Sequence, residues 1–150
     1  MIQRVQSVYL LAIICLEGLT NVFSFFSFKT AENNYSLYTY AVKSIDGETQ
    51  VNEYKLLFAS IIGIVLALAA LISFKNRTRQ IKLSRGLFLL SITQISAIIF
   101  AIFGILGEGA NFENLGIASV FLPIIAVLSI LTTRAIRKDD QLIKSVDRIR

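Results

Sequence analysis

Four long apolar runs constrain the fold of this chain more than any other feature of its sequence. They cover residues 5–28, 54–74, 86–106 and 115–135. Each run is long enough to cross a hydrocarbon core of about 30 Å as a helix rising about 1.5 Å per residue. Charged residues make up only 17% of the chain, against roughly 25% in a soluble domain. The sequence therefore predicts an all-α membrane protein, in which residues 1–150 form a single antiparallel bundle of four transmembrane helices.

The basic residues between these runs are unevenly distributed. Segment 75–85 carries five Lys or Arg and no acid. If this segment and both termini lie on one side, that side holds twelve of the fifteen basic residues, and the other side holds three with six acids. Cytoplasmic faces of membrane proteins are enriched in Lys and Arg in this way. We therefore expect a cytoplasmic loop at 75–85, a cytoplasmic tail at 137–150 and both termini inside. The basic charge follows this topology, so nucleic-acid binding is not predicted.

A polar stripe interrupts the first apolar run. Its members are Glu17, Thr20, Asn21 and Ser24, which have the spacing of one helix face. Polar groups lack partners in lipid, so the stripe should face the bundle interior. One interpretation is an ion, proton or ligand site. The other is a structural role, in which a protonated Glu17 is hydrogen-bonded to a neighbouring helix, with Gln94, Thr93 or Ser60 as candidate partners. We refer to the four stripe residues together with Gln94 as the polar stripe.

The segment 29–53 is the longest connection, and it is predicted to lie outside. It contains β-prone residues on both sides of Asp46-Gly47, and Asp-Gly between such segments is a signal for a hairpin turn. The sequence thus predicts a small β-hairpin in the first outer loop. The second outer connection, 107–114, is predicted to be a tight turn because Gly107 and Gly109 favour a helix end.

The C-terminal tail has an apolar helical face. Its members are Leu142, Ile143, Val146 and Ile149. Together with Arg4 at the other terminus, they form a predicted cytoplasmic contact surface for a partner or for lipid. Such a helix can lie on anionic lipid, dock in a partner's groove or simply extend the last transmembrane helix into solvent. All three interpretations stay open.

The sequence contains few of the residues on which catalysis commonly depends. It contains no His, and its single cysteine, Cys15, lies inside an apolar run. A nucleophile with a nearby base, or a metal site, is what catalysis requires. No catalytic residue, metal site or cofactor is predicted, and the chain is not expected to be an enzyme.

Both ends of the chain carry the residues of a family resemblance. The opening MIQRVQSVYL, at 1–10, and the closing RKDDQLIKSVDRIR, at 137–150, resemble those of an uncharacterised four-helix integral membrane family of Bacteroidota, described as a domain of unknown function. The resemblance runs the full length of the chain. It implies an inner-membrane location in a Gram-negative bacterium, and it implies no activity.

Two functional hypotheses follow from these observations. The first is a non-enzymatic accessory or scaffold subunit of a larger inner-membrane assembly, with the lipid bilayer and an unidentified membrane protein as partners. The alternative is a small carrier or channel that uses the polar stripe around Glu17. A membrane-embedded enzyme ranks behind both.

Overall fold

The computed structural model describes residues 5–30, 33–44, 49–52, 54–107 and 109–147. Four α-helices dominate these residues: α1 (Val5–Thr20), α2 (Lys55–Ile72), α3 (Arg77–Gly107) and α4 (Ala118–Asp147). A short 3-10 helix, Ser73–Lys75, connects α2 to α3. Five strands complete the described part: β1 (Phe26–Lys29), β2 (Asn34–Leu37), β3 (Ala41–Ser44), β4 (Thr49–Asn52) and β5 (Asn111–Leu115).

The four helices pack side by side in sequence order, and α1 closes the bundle against α4. The short connection between α2 and α3 makes these two helices antiparallel neighbours. The contacts between α3 and α4 also have an antiparallel register. Arg77 Nη1 lies 3.9 Å from Asp140 Oδ1, and Ser84 Oγ donates a hydrogen bond of 3.0 Å to the Ser129 carbonyl.

Each helix buries one stripe of residues spaced alternately by three and four. The stripes are Gln6, Leu10, Ile13, Glu17 and Thr20 on α1; Ser60, Gly63, Ala67 and Ala70 on α2; Gln80, Ser84, Leu87, Ser91, Gln94 and Ile98 on α3; and Ala118, Leu122, Ile125, Ser129, Thr132 and Ile136 on α4. This spacing is that of helices packed with small crossing angles in bundles. About half of these residues are polar, so the bundle interior is unusually polar.

The five strands form one antiparallel sheet in the order β4-β3-β2-β1-β5. Strands β1 to β4 connect α1 to α2, whereas β5 connects α3 to α4, so the sheet joins both connections at one end of the bundle. Phe26 and Phe28 of β1, with Leu37 of β2, belong to the same buried cluster as the helix residues. One face of the sheet therefore rests on the bundle.

The predicted outer hairpin is only part of this sheet. Strands β3 and β4 do pair antiparallel on either side of residues 45–48, while the Asp46-Gly47 turn itself lies outside the described residues. The predicted turn at 107–114 contributes β5, which pairs with β1. An isolated two-stranded hairpin is marginally stable in water. Here β3 also pairs with β2, so the hairpin is stabilised as part of a larger sheet.

The first predicted helix, 5–28, was too long, because α1 ends at Thr20. The side chains after Glu17 compete for the helix backbone: Thr20 Oγ1 and Asn21 Nδ2 both donate to the Glu17 carbonyl. The backbone tightens at the same point, since Asn21 N donates to the Gly18 carbonyl. Such tighter bonds commonly end an α-helix.

The prediction of a loop conformation at 75–85 is likewise wrong, because α3 begins at Arg77. Residues 77–85 contain neither Gly nor Pro, and Arg, Gln, Lys and Leu all favour helix. Asn76 caps the start, since its Oδ1 accepts a hydrogen bond of 3.1 Å from the backbone N–H of Arg79. At the other end of the chain, α4 continues without interruption into the predicted tail as far as Asp147.

We expect the Asn76→Ala substitution to lower the free energy of unfolding by about 1 kcal/mol, because it removes this cap. Thermal unfolding followed by circular dichroism would measure the loss. Asn76→Asp keeps the acceptor and serves as the matched control, so an equal loss in both variants would contradict the capping role.

Candidate polar site in the helix bundle

Glu17 lies at the centre of a buried polar layer that joins three helices. Its side chain is 1% exposed. Across the bundle, Gln94 Nε2 on α3 donates to Glu17 Oε2 at 3.5 Å. Glu17 and Gln94 are thus brought together from helices that both contact α2 and α4. We call the layer formed by Glu17, Asn21, Ser60, Gly63 and Gln94 the Glu17 layer.

The C-terminal end of α1 is tied to α2 by side chains of this layer. The carbonyl oxygen of Glu17 accepts hydrogen bonds from Thr20 Oγ1 at 2.7 Å, Asn21 Nδ2 at 3.0 Å and Ser60 Oγ at 3.1 Å. Asn21 Nδ2 also donates to Ser60 Oγ at 2.8 Å. Three side-chain donors thus bind one carbonyl oxygen in the last turn of α1, where the helix dipole is negative.

Gly63 provides the space in which the Glu17 carboxyl group lies. An ideal Cβ placed on Gly63 would lie 2.6 Å from Glu17 Oε1 and 2.9 Å from Glu17 Cδ. Both distances are shorter than side-chain carbon atoms tolerate. The absence of a side chain at Gly63 therefore lets the carboxyl group lie against the backbone of α2.

Two acceptors of the layer have no hydrogen-bond partner in the described part of the chain. They are Asn21 Oδ1 and Gln94 Oε1, and both atoms are buried. Buried polar atoms are normally paired, and an unpaired one calls for an explanation.

The other predicted site residues are placed differently. Thr93 is exposed, and its hydroxyl donates within α3 to the Leu89 carbonyl. Ser24 lies beyond the end of α1, where its carbonyl accepts a hydrogen bond from Ala118 N. The helical spacing that assigned Ser24 to the polar stripe therefore does not extend to it.

The described residues include only part of the predicted cytoplasmic contact surface. Arg4 and Ile149 lie outside the described residues. Leu142, Ile143 and Val146 lie on α4.

A second polar contact joins α3 and α4 nearer the other end of the bundle. Besides the bond from Ser84 to the Ser129 carbonyl, Thr133 Oγ1 donates to Ser84 Oγ at 3.0 Å. Sequence reasoning missed this contact. The signal for it was the spacing of Gln80, Ser84, Ser91 and Gln94, which places all four on one face of α3.

Fold and site together define a four-helix bundle with a polar interior and a five-stranded sheet at one end. Three of its helical segments are long and apolar enough to cross a membrane: Lys55–Ile72, Arg77–Leu106 and Ala118–Gln141. The helix Val5–Thr20 is apolar but shorter.

The family model described as "Domain of unknown function (DUF4293)" matches residues 2–149. The chain therefore belongs to this family, in agreement with its resemblance to a domain of unknown function. No curated protein matches the chain.

Proposed function

We propose that the protein is a non-enzymatic accessory or scaffold subunit of a larger assembly in the inner membrane of a Gram-negative bacterium of the Bacteroidota. The membrane assignment is supported by an inverted distribution of side chains. Phe100 is 80% exposed and Phe103 is 71% exposed, whereas Glu17, Ser84 and Ser129 are buried. A soluble bundle buries its apolar faces and rarely exposes a large apolar surface.

The position of the charges supports a cytoplasmic location for both termini. Exposed bases lie on α3 before its apolar surface begins and on α4 after its apolar surface ends; they are Arg79, Lys82, Arg85, Arg134, Arg137 and Lys138. From residue 86 to the end of α3 is twenty-two residues, about 33 Å of helix, which fits a core of about 30 Å. The bases lie at the end opposite the sheet, and by the positive-inside rule this supports a cytoplasmic position for that end.

The scaffold proposal rests on one observation: folded structure extends beyond the apolar surface at both ends of the helix bundle. At one end, all five residues of the edge strand β5 are exposed. At the other, Asp140 of α4 lies beside Arg77 at the start of α3. Residues 141–147 therefore continue past α3 for roughly 10 Å. An amphipathic helix in this position is suited to docking in a groove of another protein.

The test is co-purification from native membranes in mild detergent. We expect one partner in fixed stoichiometry with the tagged protein. The double substitution Leu142→Ser and Ile143→Ser should remove that partner and leave abundance unchanged, because it takes apolar surface from the docking helix.

The matched control is Lys138→Ser with Gln141→Ser, two exposed residues of the same segment, which should retain the partner. A partner that stays bound to the Leu142 and Ile143 variant would contradict the docking role. A homo-oligomer that purifies without any partner would contradict the scaffold proposal itself.

The alternative function is a small carrier or channel, and the Glu17 layer is the observation that favours it. A carboxyl group and the unpaired Oε1 of Gln94 lie deep between helices, as they do along ion pathways. Under this alternative, Glu17→Gln abolishes ion flux into proteoliposomes while the protein folds normally. Unchanged flux in that variant would remove the alternative.

A further inference from the structure

We infer that the Glu17 layer binds a hard monovalent cation, with sodium as the best match in size, through Glu17, Gln94 and Asn21. The inference rests on the geometry of the layer and is independent of whether the protein is a scaffold or a carrier. Each of the three residues supplies an oxygen, and oxygens of carboxylates and amides are the ligands that hard cations prefer.

The contact between Glu17 and Gln94 is longer than a hydrogen bond to a carboxylate should be. The distance from Nε2 to Oε2 is 3.5 Å, whereas such charge-assisted bonds measure about 2.7–2.9 Å. The oxygen and nitrogen of an amide exchange places when its plane turns by half a rotation. That rotation directs the unpaired Gln94 Oε1 towards Glu17 Oε2.

Two oxygens at this separation fit a shared ion. Ligand distances for a hard cation of calcium's size are about 2.3–2.6 Å. At a right angle around such an ion, two ligands are therefore about 3.5 Å apart. Asn21 of the same layer offers a third oxygen, because its Nδ2 is occupied by the Glu17 carbonyl and Ser60 Oγ while its Oδ1 has no partner in the described chain.

The electrostatics of the site favour one positive charge. Glu17 is the only carboxyl group among the buried residues that the structure describes. It lies in the last turn of α1, where the helix dipole is negative and no basic residue is present. A buried carboxylate is costly unless it is paired. One monovalent cation neutralises it, whereas a divalent cation would leave an excess positive charge in the core.

Thermal unfolding of the purified full-length protein in detergent tests the inference. After dialysis into choline chloride, titration with sodium chloride at constant ionic strength should raise the Tm by several degrees and then saturate. Glu17→Gln and Gln94→Leu should abolish this rise, because each removes a ligand. Equilibrium dialysis with radioactive sodium should give about one bound ion per chain.

Gln80→Leu is the matched control. Gln80 lies on the same buried face of α3 and also has an unpaired Oε1. Its replacement should change the Tm in choline and leave the sodium-dependent rise intact.

Equal Tm values in sodium and choline would overturn the inference, as would a sodium response that persists in Gln94→Leu. Loss of the response in Gln80→Leu would also overturn it, because the effect would then be a general one on packing. If Glu17→Gln fails to fold, Gln94→Leu and dialysis of the unsubstituted protein decide the matter. None of these results depends on a partner protein, so they test the cation site independently of the scaffold proposal.

Discussion

Gly116→Ala is expected to destabilise the protein by about 3 kcal/mol. An added Cβ would collide with the backbone carbonyl oxygen of Ser24 and would lie 2.6 Å from its carbonyl carbon. The backbone cannot retreat easily, because Gly116 N donates to the Phe25 carbonyl at 2.8 Å and Ala118 N donates to the Ser24 carbonyl at 3.2 Å. Moving the chain would break these bonds and leave buried backbone groups unpaired.

Thermal unfolding in detergent would measure this effect, with Gly104→Ala as the matched control. A Cβ at Gly104 meets no atom within 4 Å, and alanine favours a helix more than glycine does. The control should therefore be neutral or slightly stabilising. A Gly116→Ala protein with unchanged Tm would contradict this prediction, because it would show that the backbone between β5 and α4 can move without a loss of stability.

Gly63→Ala is expected to cost about 1 kcal/mol, because the new Cβ would displace only the carboxyl end of the Glu17 side chain from the surface of α2. The prediction becomes specific in a double-mutant cycle. In a Glu17→Ala background the carboxyl group is gone, so Gly63→Ala should be neutral or stabilising through its helix propensity.

The control for this cycle is Gly18→Ala, since a Cβ at Gly18 also meets no atom within 4 Å. Its effect should be the same with and without the Glu17 side chain. Additive effects of Gly63→Ala and Glu17→Ala, measured as free energies of unfolding, would rule out the direct contact between these two positions.

The existence of the helices could be predicted from the sequence, but their ends could not. Long apolar runs identify helices because lipid leaves few other options to the backbone. The ends depend on particular side chains in three dimensions. Asn76 starts α3 as a cap, and Ser60 of α2 helps to bind the carbonyl of Glu17 where α1 ends. Neither contact leaves a periodic signal in the sequence.

The polar site was predictable in its members and not in its geometry. A glutamate in an apolar run indicates an interior position, and Gln94 and Ser60 were among the candidate partners. Gly63 lies between Ala59 and Ala67 at four-residue spacing, a pattern that indicates close packing of two helices, whereas in the structure it provides space for a carboxyl group. Small residues on α3 show a similar spacing but are not all buried, since Ala97 and Gly104 are both exposed. Spacing identifies a stripe of small residues but does not say which neighbour it faces.

The pairing of β5 with β1 has a consequence for biosynthesis. Strand β1 is hydrogen-bonded on both sides, to β2 early in the chain and to β5 after three helices have been made. Because the chain is synthesised from its N-terminus, β1 has one edge without hydrogen-bond partners until β5 has been made. That edge of β1 finds its hydrogen-bond partner only after α3 and β5 have been made. A chain that stalls after α2 would therefore keep one edge of β1 without hydrogen-bond partners, and an open strand edge is a template for pairing with another chain.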